Sequence, residues 1–253
     1  MSKSGVTAII TTYNEAEHIE AALQSVSWAD EILVMDSFST DETPDIIRQF
    51  GGVRFLQHAY DSPAKQKNRA IELASFPWVF ILDADERVPE ELREEMLHIV
   101  RSDASPKDGY WIQRKNIIFG RTLKYLWKGD KVIRLIRKDK CRYQEVQVHE
   151  EVDTAGVRIG MLEHPLLHYS VKSMEHYLAK TRRYARWQAE ELYQNGARAS
   201  IGKMALKPLV RFAKHYFVEG GFLDGRLGFI FSVVMAWGVW LRYVFLYEKQ
   251  KKP

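Results

Sequence analysis

A chain of 253 residues with 46% hydrophobic and 12% aromatic content can bury a full core, which excludes a disordered chain and leaves room for one large domain or one domain with an appendage. Its single cysteine, Cys141, excludes an internal disulfide framework and a thiolate metal cluster, and fits a reducing compartment. The net charge is +4, but residues 1–100 carry 8 Lys/Arg against 18 Asp/Glu and residues 101–253 carry 29 against 15. The second half is therefore suited to a polyanion, either nucleic acid or an anionic membrane with its phosphorylated glycolipids.

The opening segment MSKSGVTAIITTYNE lacks the charged, apolar and small-residue regions of a secretory signal, so the active part is expected to stay in the cytoplasm. Short β-branched or apolar runs at 6–12, 31–35, 53–56 and 78–82 then alternate with helix-compatible stretches at about 15–27, 42–50 and 63–75. That alternation predicts βαβ units around a largely parallel sheet. In such sheets ligands bind outside the carboxyl ends of the strands. Acids follow three of these four ends: Glu15, Asp36, and the pair Asp83 and Asp85.

From about residue 108 the pattern changes. Segments 109–114, 132–137 and 146–149 alternate as half-buried strands do, and are expected to extend the sheet and build a second, acceptor side. Beyond Ser170 the chain reads as helical, with Met174, Tyr177, Leu178, Thr181, Tyr184, Ala185, Gln188 and Leu192 at three- and four-residue steps and Lys180, Arg182, Arg183 and Arg186 between them. Pro208 is expected to open a further helix, with Leu209, Phe212, Ala213 and Tyr216 on one side and Lys207, Arg211 and Lys214 on another, like an interfacial amphipathic helix. The uncharged run 227–241 would rise about 22 Å, short of the roughly 30 Å hydrocarbon core, so a monotopic or half-buried anchor is expected rather than a clean span. A buried core helix is the alternative.

Two acids one residue apart at a strand end can project over the same sheet edge and favour a hard cation. An open Asp-x-Asp site suits Mg2+ or Mn2+ completed by substrate phosphates better than a closed structural ion. Lys65, Lys67 and Arg69 precede the strand that leads to this pair, and a leaving diphosphate needs cations beside its metal. Otherwise they solvate a helix face. Gly51-Gly52 has no phosphate-loop context and reads as a turn.

Taken together, Thr11-Thr12-Tyr13-Asn14-Glu15, Asp36-Ser37-Phe38-Ser39-Thr40-Asp41-Glu42-Thr43, Gln66-Lys67-Asn68 and Asp83-Ala84-Asp85 resemble, in order and spacing, the family-2 glycosyltransferases. The remainder, with His149-Glu150-Glu151 and the Gly220–Gly225 region, resembles the bacterial subgroup of lipopolysaccharide-core β-1,4-glucosyltransferases. The resemblance implies an α/β, GT-A (Rossmann-like) catalytic domain over residues 1–170, mostly parallel and flanked by helices. Its nucleotide-sugar half would be 1–105 and its acceptor half 106–170, followed by a helical, membrane-associating extension over 171–253. It implies that Tyr13, Glu15 and Asp36 hold the base and ribose and that Asp83 contacts the nucleotide, with Thr11 and Lys67 in the same nucleotide-sugar set. Asp85 would ligate Mg2+ or Mn2+, and His168 would add a metal or phosphate contact. Many relatives carry Asp-Asp-Gly-Ser where this chain has Asp36-Ser37-Phe38, which bears on base preference.

Inverting transfer needs a carboxylate that takes the proton of the acceptor hydroxyl. By resemblance that base is Glu150; Glu151, Asp130 and Glu145 are competitors, and a salt-bridged sheet edge is the bland alternative. The expected activity is transfer of a hexose, glucose from UDP-glucose foremost, onto a lipid-linked saccharide such as the lipopolysaccharide inner core. It would occur at the cytoplasmic face of the inner membrane, with no nucleic-acid partner. A polyprenyl-phosphate sugar synthase and a non-enzymatic nucleic-acid or membrane-binding module are the competing readings.

Overall fold

The computed structural model describes residues 5–102, 106–144 and 151–251. They fall into two compact units: Met1–Lys115 with Gly129–His168, and Asn116–Lys128 with Tyr169–Pro253.

In the first unit four strands, β1 (Val6–Thr12), β2 (Glu31–Asp36), β3 (Val53–Gln57) and β4 (Trp78–Asp83), pair in parallel in the order β3-β2-β1-β4. Their near-continuous apolar sequences follow from burial on both faces. Ala8, Ile10, Val34, Phe80 and Leu82 pack into one core layer, while Ile9, Leu33, Met35, Val79 and Ile81 pack into the layer on the opposite face. Helices α1 (Ile19–Ser25), α2 (Thr43–Phe50) and α3 (Pro63–Leu73) make the crossovers. The first helix is shorter than the sequence suggests. Asn14 takes a left-handed φ of 54°, and the Glu15 backbone N–H is held by Thr43 Oγ1 at 2.9 Å, so the chain turns before it can coil.

After a two-residue strand, β5 (Glu86–Arg87), comes a helix that the sequence reading passed over, α4 (Glu90–Arg101). Leu92, Met96 and Val100, four residues apart, are its buried stripe, and Pro89 precedes it. The sheet then continues in antiparallel sense. β6 (Gly109–Ile118) lies beside β8 (Lys131–Arg137), which in turn pairs with β4. The short strands β7 (Arg121–Thr122) and β9 (Ile159–Met161) both pair with β6, and β10 (Leu166–Val171) pairs with β5. The sheet is thus parallel where the nucleotide side was expected and antiparallel beyond it, a mixed sheet of GT-A type. The expected strand 146–149 lies outside the described residues. Its flanks do pair: Tyr143 bridges Val152, and Gln144 N–H donates to the Glu151 carbonyl at 2.8 Å.

The second unit is helical: α5 (Met174–Gln194), α6 (Ile201–Ala213), a π-turn at Lys214–Val218, a 3-10 turn at Gly221–Asp224, and α7 (Gly225–Lys251). Pro208 does not open a helix. It sits inside α6, which starts earlier because the Ser200 hydroxyl caps the N–H of Lys203 at 3.3 Å. The stretch Gly221–Lys251 is, among the described residues, the one helix long and apolar enough to cross a membrane, and a third of its apolar window is buried within the protein. Its Arg242 faces a protein partner, donating to Gln188 Oε1 at 3.2 Å.

Candidate active site

Strand register brings the motif residues to one edge. Thr11 pairs with Asp83, Thr12 with Asp36, and Asp36 with Gln57, so the carboxyl ends of all four parallel strands lie side by side. The loops after β1 and β2 are laced together: Asn14 N–H donates to Ser39 Oγ (2.8 Å), Thr40 N–H to Asn14 Oδ1 (2.8 Å), and Ala16 N–H to Asp41 Oδ2 (3.1 Å). Asn14 and Phe38 both adopt positive φ in these turns. The lacing leaves two aromatic side chains, Tyr13 and Phe38, more than half exposed at the sheet edge.

Asp36 is fully buried. Its Oδ2 accepts from Ser39 N–H (3.0 Å) and from Gln57 Nε2 (2.9 Å), and the Ser39 hydroxyl donates to Oδ1. The carboxylate therefore sets the shape of the Ser37–Thr40 loop. On α3 the three consecutive residues Gln66, Lys67 and Asn68 are all buried, whereas Lys65 and Arg69 are exposed. Each of the three has a distinct partner. Gln66 Nε2 donates to Ser37 Oγ (2.6 Å), Asn68 exchanges two hydrogen bonds with the Tyr143 backbone (2.8 and 2.9 Å), and Lys67 Nζ lies 3.1 Å from Asp83 Oδ1. The Gln66-Lys67-Asn68 context already favours Lys67 over its basic neighbours, and the fold separates them physically, burying Lys67 and exposing Lys65 and Arg69.

Asp83 is the hub. Thr11 Oγ1 donates to it at 3.3 Å, Lys67 meets one carboxylate oxygen, and Arg134 of β8 meets the other. Burial alone would raise this carboxyl, but the charges of Arg134 and Lys67 outweigh it and hold it well below the ordinary carboxylate range. Arg134 went unmarked in the sequence, where it is one of several basic residues along an alternating strand. In the fold it is buried and its Nη2 also reaches Glu86 Oε1 at 2.8 Å. Glu86, itself fully buried, accepts the Asp83 backbone N–H at 3.0 Å and lies 3.5 Å from Arg114 Nη1, while Arg114 grips Asp130 in a bidentate pair (3.0 and 2.7 Å). Asp130, a candidate base by sequence, is thus engaged by a guanidinium.

Asp85 and His168 are 83 positions apart but meet in space: β10 pairs with β5, setting His168 opposite Glu86, and His168 Nε2 lies 3.5 Å from Asp85 Oδ2. Adjacent ligands of one octahedral ion at about 2.1 Å each stand about 3 Å apart, so a shift of about half an ångström would let both side chains hold one cation. Carboxylate plus imidazole is a donor set that Mn2+ accepts. Among the described residues no group of three or more His, Cys, Asp or Glu could hold a metal, so an ion here would draw its remaining ligands from phosphate oxygens and water. Glu150 and Glu145 lie outside the described residues; Glu151, beside them, is exposed. The Tyr143 ring, at the foot of the same segment, stands 5.5 Å from Lys67 Nζ.

Comparison with known proteins gives the family and the fold. The family glycosyl transferase family 2 matches residues 7–152. The lipopolysaccharide core biosynthesis glycosyltransferase LpsC of Rhizobium meliloti (strain 1021) is 28% identical across 98% of this chain and 93% of its own. An uncharacterized glycosyltransferase of Rickettsia bellii (strain RML369-C) is 31% identical across 96% and 86%. Among solved structures, residues 1–349 of S. aureus TarS superpose with a TM-score of 0.51 at 18% identity over 98% of this chain and 91% of that one, a likeness of fold.

Proposed function

The chain belongs to glycosyl transferase family 2 and is a glycosyltransferase, and from that premise we propose that it moves a hexose from a UDP-sugar, glucose foremost, onto a lipid-linked saccharide such as the lipopolysaccharide inner core. Transfer would invert the anomeric centre and depend on Mg2+ or Mn2+ at Asp85 and His168. The observation that carries this reading is the strand-end cluster in which Asp83 gathers Lys67 and Arg134 while Asp85 meets His168.

Each residue has a task in it. Tyr13 and Phe38 offer exposed rings to the base, and the loops shaped by Asp36 and Glu15 enclose the ribose. Asp83 holds Lys67 and Arg134 at the strand ends, where their N–H groups can turn to the departing diphosphate. The metal, when bound, adds neutralisation of that diphosphate. Glu150 takes the proton of the acceptor hydroxyl as its oxygen bonds to the anomeric carbon and the sugar–phosphate bond breaks on the opposite side. The LpsC relative, the basic second half and the apolar helix α7 support an acceptor at the cytoplasmic membrane face. Residues 1–170 would be the catalytic part and 171–253 the membrane-associating part.

The test is sugar transfer from a panel of radiolabelled UDP-sugars into membrane extracts, with Glu150→Gln in parallel. One donor should be turned over, and Glu150→Gln should lower kcat by about a hundredfold or more, the usual scale of a lost general base. If transfer is instead to a lipid phosphate and Glu150→Gln is nearly silent, the acceptor is a polyprenyl phosphate.

A further inference from the structure

Helix α6 leaves large apolar side chains in solvent on the side away from its less exposed face. Its less exposed positions, Met204, Pro208, Arg211 and Phe212, lead to His215 of the π-turn, which is buried and bonded to Glu219 Oε2 (2.6 Å) and Arg211 Nη1 (3.2 Å). The opposite stripe is apolar and open to solvent: Leu209 is 65% exposed, Phe217 61% and Val218 81%. Each large apolar side chain left in water forgoes its burial energy, so an exposed stripe of this size calls for a cover. The bare stripe does not end with α6. Phe229, Ile230 and Val233 of α7 are exposed too, and the rings of Phe212 and Tyr216 pack on Phe229 at 6.0 and 5.7 Å.

We propose that this outward apolar face of α6, the π-turn and the start of α7 is a docking surface for an anionic lipid leaflet, lying in the interface rather than crossing it. Charge selects the occupant. Lys203, Lys207 and Lys214 are exposed and flank the apolar stripe along α6, where they would meet lipid phosphates as the stripe enters the acyl boundary. A groove of about 440 Å3 lined by Tyr216, Arg226, Phe229 and Ile230 offers an aromatic wall and a guanidinium to the same chemistry. The inference rests on the membrane-side reading proposed above and assigns that contact to named residues.

The full chain tests it, with single cysteines at Leu209→Cys or Phe217→Cys and, as a reference, at Glu91→Cys on α4, each carrying an environment-sensitive fluorophore. Cys141 does not compete, because it is buried and burial pushes its thiol up to about 11. Vesicles containing phosphatidylglycerol should shift emission to the blue at 209 and 217 and leave 91 unchanged. Exchanging Lys203, Lys207 and Lys214 for Gln should weaken partition on the order of a hundredfold. Vesicle binding with 209 and 217 still in water would overturn this face and leave the membrane reading standing. No binding to any vesicle would overturn both. A blue shift without vesicles, accompanied by a dimer mass in light scattering, would assign the face to a second copy and overturn the proposal.

Discussion

Enclosing Arg134 removes a full positive charge from water, and what it receives in return is contact with two carboxylates, Asp83 and Glu86. Breaking such a buried set leaves uncompensated charge and costs about 3–5 kcal/mol, so Arg134→Met should unfold at markedly lower denaturant concentration. Arg134→Lys keeps the charge, but a compact ammonium cannot hold both carboxylates in one planar grip. It should fold, and the KM for the sugar nucleotide should rise about tenfold with the acceptor KM unchanged. Equal loss in both would reduce Arg134 to scaffolding. Acid titration checks the hub itself. Because the folded Asp83 carboxyl lies below its unfolded value, its contribution is present above about pH 4 and is lost as pH falls through the folded value. Wild type should keep its stability advantage over Asp83→Asn in melts between about pH 7 and 4 and lose it only on further acidification; a gap that closes between about pH 7 and 5 would contradict this.

Elements were legible in proportion to how local their cause is. The four parallel strands announce themselves because burial on both faces requires unbroken apolar runs, and their polar ends mark the site directly. Arg134, by contrast, is one basic residue among Lys131, Arg134 and Arg137 on β8, and only pairing of β8 with β4 sets it beside Asp83. His168 reaches Asp85 through the β5–β10 pairing, which sequence spacing does not encode. Pro208 misled because proline is expected at a helix start, whereas here the Ser200 cap decides. The Gly220–Gly225 turn also acquires a cause. Gly220 and Gly225 have φ of 77° and 64°, and the Asp224 carboxylate between them accepts backbone N–H groups from Lys124, Tyr125 and Leu126 at 2.8–3.4 Å. Residues 116–128 thereby join the helical unit rather than the acceptor side of the sheet. Asp224→Ala strands the backbone donor of buried Leu126, while those of exposed Lys124 and Tyr125 can turn to water, and should cost about 1–2 kcal/mol, read as a lower melting temperature; an unchanged melt would show that water replaces the cap throughout.

At the scale of the molecule, the acidic first hundred residues carry the acids and Lys67 of the strand-end cluster, and the basic remainder adds Arg134 and His168 to it and carries the exposed apolar face of α6. An acidic pocket that gathers its own cations suits a metal–diphosphate pair, while the basic, apolar extension suits a lipid surface. The first of these is the central claim, and calorimetric titration of UDP into the full chain tests it most directly. UDP should bind in the presence of Mn2+ and lose at least about tenfold in affinity with EDTA or in Asp85→Asn, with His168→Ala falling between. UDP affinity indifferent to Mn2+ and to Asp85→Asn would contradict it.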